Sequence, residues 1–143
     1  MYGTLAGFRP SRYEVQSQAC ANFGISVTHE GILKGYAIAD AYMSRENAID
    51  PIRLRGQEKR DAFFGEYERL VLEGSNVYVS EEKALEIFCI VQRIPYSLVP
   101  FDDVVPILNT LGELGLTLGM ISNMDKEGDE LARTLGLSEF LHF

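Results

Sequence analysis

The chain has 143 residues, of which 46% are hydrophobic and 24% charged, and these values suit one soluble globular domain. Its formal net charge of −8 excludes nucleic acid and anionic membrane surfaces as expected partners, because both are bound mainly through Lys and Arg. No apolar segment approaches the roughly 18 residues of a membrane span, and the start is unlike a signal peptide. We therefore expect no membrane partner and a cytoplasmic protein.

The first ten residues have the composition of a loop. The sequence Met-Tyr-Gly-Thr-Leu at residues 1–5 leads directly into a segment at residues 6–10 that contains Gly7 and Pro10. This composition predicts a turn with no strand before it.

Helical periodicity then extends over residues 11–93. The predicted helices run from the cap Ser11 to about Phe23, onward from the cap Thr28, from about Gln57 to Leu72, and onward from the cap Ser80. Gly31 and Gly35 weaken the second prediction, because each costs about 1 kcal/mol relative to Ala inside a helix. Cys20 and Cys89 lack metal or redox spacing, and we expect both to be buried free thiols.

The pattern changes after residue 93. Pro95 and Pro100 predict a linker over residues 94–100, because proline does not continue a helix. The segments predicted after it are a helix capped by Asp102 or Asp103 and closed by Gly115, a buried strand at 116–121, a helix from Asp125, and the entry to a strand at 140–143. Residues 101–143 therefore predict an α/β unit with a right-handed crossover.

The predicted strand at 116–121 ends in Ser122 and Asn123. Open α/β sheets bind ligands at the carboxyl ends of their strands, so these two side chains are candidate site residues. By itself the pattern favours an ordinary turn after a strand, because Ser and Asn are common turn residues.

Read together, these segments resemble the haloacid dehalogenase (HAD) superfamily. Tyr2-Gly3-Thr4-Leu5 is similar to the tail of its motif one, D-x-Y-G-T-L, and Ile121-Ser122-Asn123-Met124-Asp125 is similar to its motif two. Residues 101–115 resemble the segment that returns from the family's cap to its core. The resemblance implies an α/β fold with a HAD-like Rossmannoid core, incomplete here, and an inserted all-helical cap domain. The implied domains are 1–10 as the motif-one loop, 11–94 as the cap and 95–143 as a partial core.

The resemblance also implies a hydrolase that forms a covalent aspartyl intermediate on a small-molecule substrate. Ser122 and Asn123 would bind and orient the substrate, Thr4 would support the motif-one loop, and Gly3 would let the backbone approach the substrate. The backbone carbonyl of Tyr2 would be a ligand if Mg²⁺ binds. The resemblance leaves room for a homodimer.

The chain departs from the family pattern in four ways. The alignment places the attacking Asp immediately before Met1, outside the 143 residues, and the motif-three Lys and acidic motif four are not present before Phe143. Tyr2 stands where phosphatases have an acid/base Asp, which favours a dehalogenase. No Arg lies in the early cap segment 33–36, which disfavours a dehalogenase.

These departures leave two kinds of function open. One is a hydrolase that acts on a phosphate monoester with Mg²⁺, or on a 2-haloacid without it. The other is a truncated or decayed chain without catalysis that serves at most as a binding or interaction module.

Overall fold

The computed structural model describes residues 3–122 and 127–142. Its elements are β1 (Ala6–Arg9), α1 (Arg12–Ala21), α2 (His29–Ile49), a 3₁₀ turn (Ile52–Leu54), α3 (Gln57–Glu73), α4 (Glu81–Val91), β2 (Ser97–Pro100), α5 (Val104–Glu113) and α6 (Gly128–Thr134). The chain divides into two compact units. We call Pro10–Pro95 the helical unit, and Met1–Arg9 together with Tyr96–Phe143 the terminal unit.

The helical unit contains α1 to α4, and its helix starts agree with the sequence predictions. The side chains of Ser11, Thr28 and Ser80 each accept a hydrogen bond from a backbone N–H of the first helical turn. Ser11 also forms a reciprocal capping box with Glu14. These hydrogen bonds confirm the three predicted caps. A side-chain acceptor at this position satisfies a backbone N–H that the helix leaves unpaired.

One apolar core lies inside the helical unit. Its largest fully buried apolar side chains are Ile32 from α2, Val71 and Leu72 from α3, and Ile87 from α4. Cys20 is buried as predicted, but Cys89 is exposed, so that part of the prediction was wrong. Cys89 lies on the outer side of α4, whereas Ala84 and Ile87 of that helix are buried.

The terminal unit has its own smaller core. Strands β1 and β2 pair antiparallel, with Ala6 opposite Pro100 and Arg9 opposite Ser97. Leu131, Leu137 and Val104 are buried in the apolar cluster of this unit. Both strands fall in segments that the sequence predicted as a turn and a linker. The two strands were missed because they form by pairing between residues about ninety positions apart. Local composition does not predict such a distant pairing.

The predicted α/β fold was wrong for the part of the chain that the structure describes. Residues 116–122 form no strand; Leu116 is 52% exposed and Ile121 is 94% exposed. A backbone hydrogen bond of 2.9 Å runs from His142 N–H to Leu118 O, but a single bond is not a ladder. An apolar run becomes a strand only when neighbouring strands take up its backbone groups. The described residues contain six α-helices and one two-stranded sheet, not a Rossmannoid core.

The helices after β2 follow the predictions more loosely. Helix α5 begins after Asp103, whose side chain makes no capping hydrogen bond, and Gly115 follows the helix with a φ of +77°. Helix α6 begins at Gly128, and the predicted cap Asp125 lies outside the described residues. No helix within residues 3–122 and 127–142 is long and apolar enough to span a membrane.

Candidate functional site

The predicted motif-one residues lie in the turn that leads into β1. Gly3 has a φ of +76°, a left-handed conformation that favours glycine, and its N–H donates to the carbonyl of Ala6 at 2.9 Å. Gly3 and Thr4 are exposed. Tyr2, the proposed backbone ligand for Mg²⁺, lies outside the described residues.

The predicted motif-two residues are described only in part. Ser122 is exposed at the end of the irregular segment 116–122, and Asn123 lies outside the described residues. The sequence predicted that Ser122 lies at the carboxyl end of a strand. The structure has no strand at residues 116–122, so that placement was wrong.

The terminal unit nevertheless brings the flanks of both motifs to one apolar cluster. Leu5, next to Thr4, packs against this cluster, and so do Leu118 and Met120, which precede Ser122. The carbonyl of Leu5 also accepts a hydrogen bond of 3.0 Å from Phe101 N–H. Both motif segments are thus anchored in the same core.

The described residues do not contain a cluster of metal-binding side chains. Among residues 3–122 and 127–142, no group of three or more His, Cys, Asp or Glu side chains could hold a metal ion. Mg²⁺ prefers clustered carboxylate and carbonyl oxygens.

A buried polar cluster in the helical unit was not predicted from the sequence. Gln16 of α1 and Glu68 of α3 are 0% and 1% exposed. The Gln16 amide Nε2 donates to Glu68 Oε2 at 3.2 Å and to the hydroxyl of Tyr36 on α2 at 3.1 Å. One amide therefore links three helices.

The cluster continues toward the surface through Asp40 of α2. The hydroxyl of Tyr67 donates to Asp40 Oδ1 at 2.7 Å, and Arg12 Nη1 donates to Asp40 Oδ2 at 2.8 Å. The Arg12 guanidinium also lies over the Tyr36 ring, 4.5 Å from its centre, a cation–π geometry. The charge of Asp40 is thus balanced by Arg12 at the outer end of the cluster.

Burial raises the pKa values of the acidic groups in the inner cluster and so favours their neutral forms. It raises the pKa of Glu68 to about 7, against a smaller lowering by the Gln16 hydrogen bond. Burial likewise raises the pKa of Tyr36 and of Cys20 to about 12, and the charge of Glu68 adds to both increases. The inner cluster is therefore a place where negative charge is disfavoured.

Helical spacing contained a signal for this cluster. Glu68 stands four residues after Phe64 and four before Leu72, in the apolar stripe of α3. On α1, Gln16 stands three residues before Ala19 and four before Cys20, both of which are buried. A polar residue inside an apolar stripe predicts a buried polar contact.

Comparisons with known proteins do not assign the chain to a group. No protein-family model matches the sequence, and no curated protein matches it significantly.

Proposed function

We propose that this chain belongs to a hydrolase that acts through a covalent aspartyl intermediate on a small phosphate monoester or 2-haloacid. The observation that carries the proposal is the shared apolar cluster, against which Leu5 and Leu118 pack beside the two motif segments. The proposal rests on these motif residues and on their packing, without the α/β core.

The proposed roles follow the motif resemblance. A carboxylate directly before Met1 would attack phosphorus and expel the alcohol, giving an acyl phosphate, or attack carbon and expel halide, giving an ester. Water would then hydrolyse either intermediate and free the carboxylate. Ser122 would hydrogen-bond a substrate oxygen, Asn123 would help to orient the substrate or the nucleophile, and Thr4 would support the motif-one loop. Gly3 suits close approach to a substrate, because it has no side chain and its φ is positive.

The first experiment is to read the coding DNA on both sides of the 143 codons. We expect an in-frame Asp codon immediately upstream, and a Lys codon followed by an acidic pair downstream. Stop codons in both positions would contradict the hydrolase proposal and favour the non-catalytic alternative.

The second experiment measures hydrolysis by the product of the complete reading frame. We expect release of phosphate from p-nitrophenyl phosphate or of halide from a 2-haloacid, lowered at least about tenfold by Ser122→Ala. Ser138→Ala is the control, because Ser138 is an exposed Ser of the terminal unit outside both motifs. Loss of phosphate release in EDTA would indicate the Mg²⁺-dependent phosphatase, and halide release that survives EDTA the dehalogenase. Equal activity in the two Ser variants would exclude the role given to Ser122.

A second candidate is a non-catalytic interaction module, which the exposure of apolar side chains favours. Ile107 and Leu114 of α5 and its C-terminal end are 51% and 70% exposed, and Ile121 is almost fully exposed. Exposed apolar side chains of this size are the kind that another chain covers when they form a common patch. The 143-residue polypeptide would then show no turnover of either substrate.

A further inference from the structure

Glu68 is a carboxyl group in the apolar interior of the helical unit. It is 1% exposed, and its Oε2 accepts the amide of Gln16. Its other oxygen, Oε1, is buried without a hydrogen-bond partner. Burying an ionised carboxylate with one oxygen unpaired is costly, because the charge loses its hydration.

Gln16 has the matching deficiency. Its Nε2 donates to Glu68 and Tyr36, but its Oε1 is also buried without a partner. Two acceptor oxygens therefore lie in the interior without a donor. A protonated Glu68 carries an O–H group, so protonation removes the charge and adds the missing kind of donor.

Apart from the Gln16 amide, which donates to Oε2, no side chain of the described residues lowers the pKa of Glu68 or stabilises its charge. The titratable groups that interact with Glu68 are Cys20 on α1 and Tyr36 on α2. Arg12 and Asp40 act on Tyr36 and on Tyr67, the residue before Glu68 on α3. Arg12 is paired with Asp40. Helix α4 contributes the apolar Ala84 and Ile87 to the interior, while its Lys83 pairs with Glu86 outside the core.

We propose that Glu68 is a buried proton switch: the helical unit packs with a neutral Glu68 and loosens when this carboxyl loses its proton. The switch has three parts, which are the carboxyl on α3, the Gln16 amide on α1 and the Tyr36 hydroxyl on α2. It is independent of the proposed hydrolase, because all three residues belong to the helical unit.

The pKa of Glu68 sets the direction of the effect. The ordinary value is 4.5 and burial raises it to about 7. Between these values the folded protein keeps a proton that the unfolded chain has released, so stability falls as pH rises through this window. Below about pH 4.5 both states hold the proton, and above about pH 7 neither does, so the contribution levels off on both sides.

Urea unfolding of the 143-residue protein at pH 5, 6, 7 and 8.5 tests the switch. One proton makes the unfolding equilibrium constant rise by up to about tenfold per pH unit between pH 5 and 7. We expect Glu68→Gln to remove that rise, because an amide of the same shape does not titrate. Glu73→Gln is the control, since Glu73 lies on the same helix, is paired with Arg69 and is partly exposed. Glu73→Gln should keep the rise, and an unchanged rise in Glu68→Gln would overturn the proposal.

The carboxyl of Glu68 can also be titrated directly in the wild-type protein by ¹³C NMR, so the test survives a variant that does not fold. A midpoint between about 6 and 8, accompanied by loss of the near-ultraviolet tyrosine signal over the same range, supports the switch. A midpoint near the ordinary value of 4.5 would overturn it, and would indicate an internal water that donates to both orphaned oxygens.

Discussion

Gly35 has a different meaning in the structure from the one that helix propensity gave it. A Cβ atom at this position of α2 would lie 2.0 Å from the carbonyl oxygen of Val71 on α3, and one at Gly74 would lie 2.1 Å from Gly31 O. These glycines allow two helix backbones to approach closely. Helix propensity alone predicted that Gly31 and Gly35 destabilise α2. In the structure they are the positions where the α2 backbone contacts the C-terminal part of α3 and the residues after it.

This contact predicts a large effect of Gly35→Ala. We expect the free energy of unfolding to fall by about 3 kcal/mol, because backbone rather than a flexible side chain blocks the added methyl group. The control is Gly112→Ala on α5, where an added Cβ meets nothing within 4 Å. This control should raise stability by up to about 1 kcal/mol through helix propensity. Urea unfolding measures both, and equal effects would contradict the close-contact explanation.

At the scale of elements, helix starts were predictable and strands were not. Ser11 and Thr28 act through atoms within three residues of themselves, so their sequence signal is local. Strands β1 and β2 pair with each other although the entire helical unit separates them in the sequence. Residues 116–122, by contrast, are irregular. Apolar content alone does not distinguish these two outcomes.

The cap of α1 supports a second prediction. Ser11→Ala removes the acceptor of the Glu14 N–H and half of the capping box, so stability should fall by about 1 kcal/mol. Ser17→Ala, within the same helix, should instead be neutral or slightly stabilising, because Ala favours helix more than Ser. Thermal unfolding followed by circular dichroism compares the two. A loss of the same size in both would show that the cap is not the cause.

At the scale of the whole molecule, charge and apolar exposure have opposite effects on association. The net charge of −8 keeps copies apart, whereas exposed Leu114, Leu116 and Ile121 in the terminal unit favour contact with another chain. A homodimer therefore remains a prediction.

Sedimentation velocity at moderate salt tests this prediction. We expect species larger than the 16.0 kDa monomer, and a shift toward monomer in Ile121→Ser, because that change removes the most exposed apolar side chain of the segment. Tyr78→Ser removes an exposed aromatic side chain of the helical unit and should leave the distribution unchanged. A monomer at all concentrations would exclude the homodimer.

The candidate site shows the same division between local and distant effects. The motif letters around Gly3 and Ser122 were visible in the sequence, and the left-handed turn at Gly3 agrees with the residue found there. The pairing of Gln16 with Glu68 was not visible, because 52 positions separate them and only helix packing brings them together.

The sequence by itself determined where α1 to α4 begin, the caps Ser11, Thr28 and Ser80, and the left-handed Gly115 that follows α5. These features depend on hydrogen bonds and φ angles within a few residues. The tertiary structure alone decided whether an apolar run became a strand, which glycines were contacts and which polar side chains were buried. Those outcomes depend on partners distant in the chain, whose positions follow from packing and not from local composition.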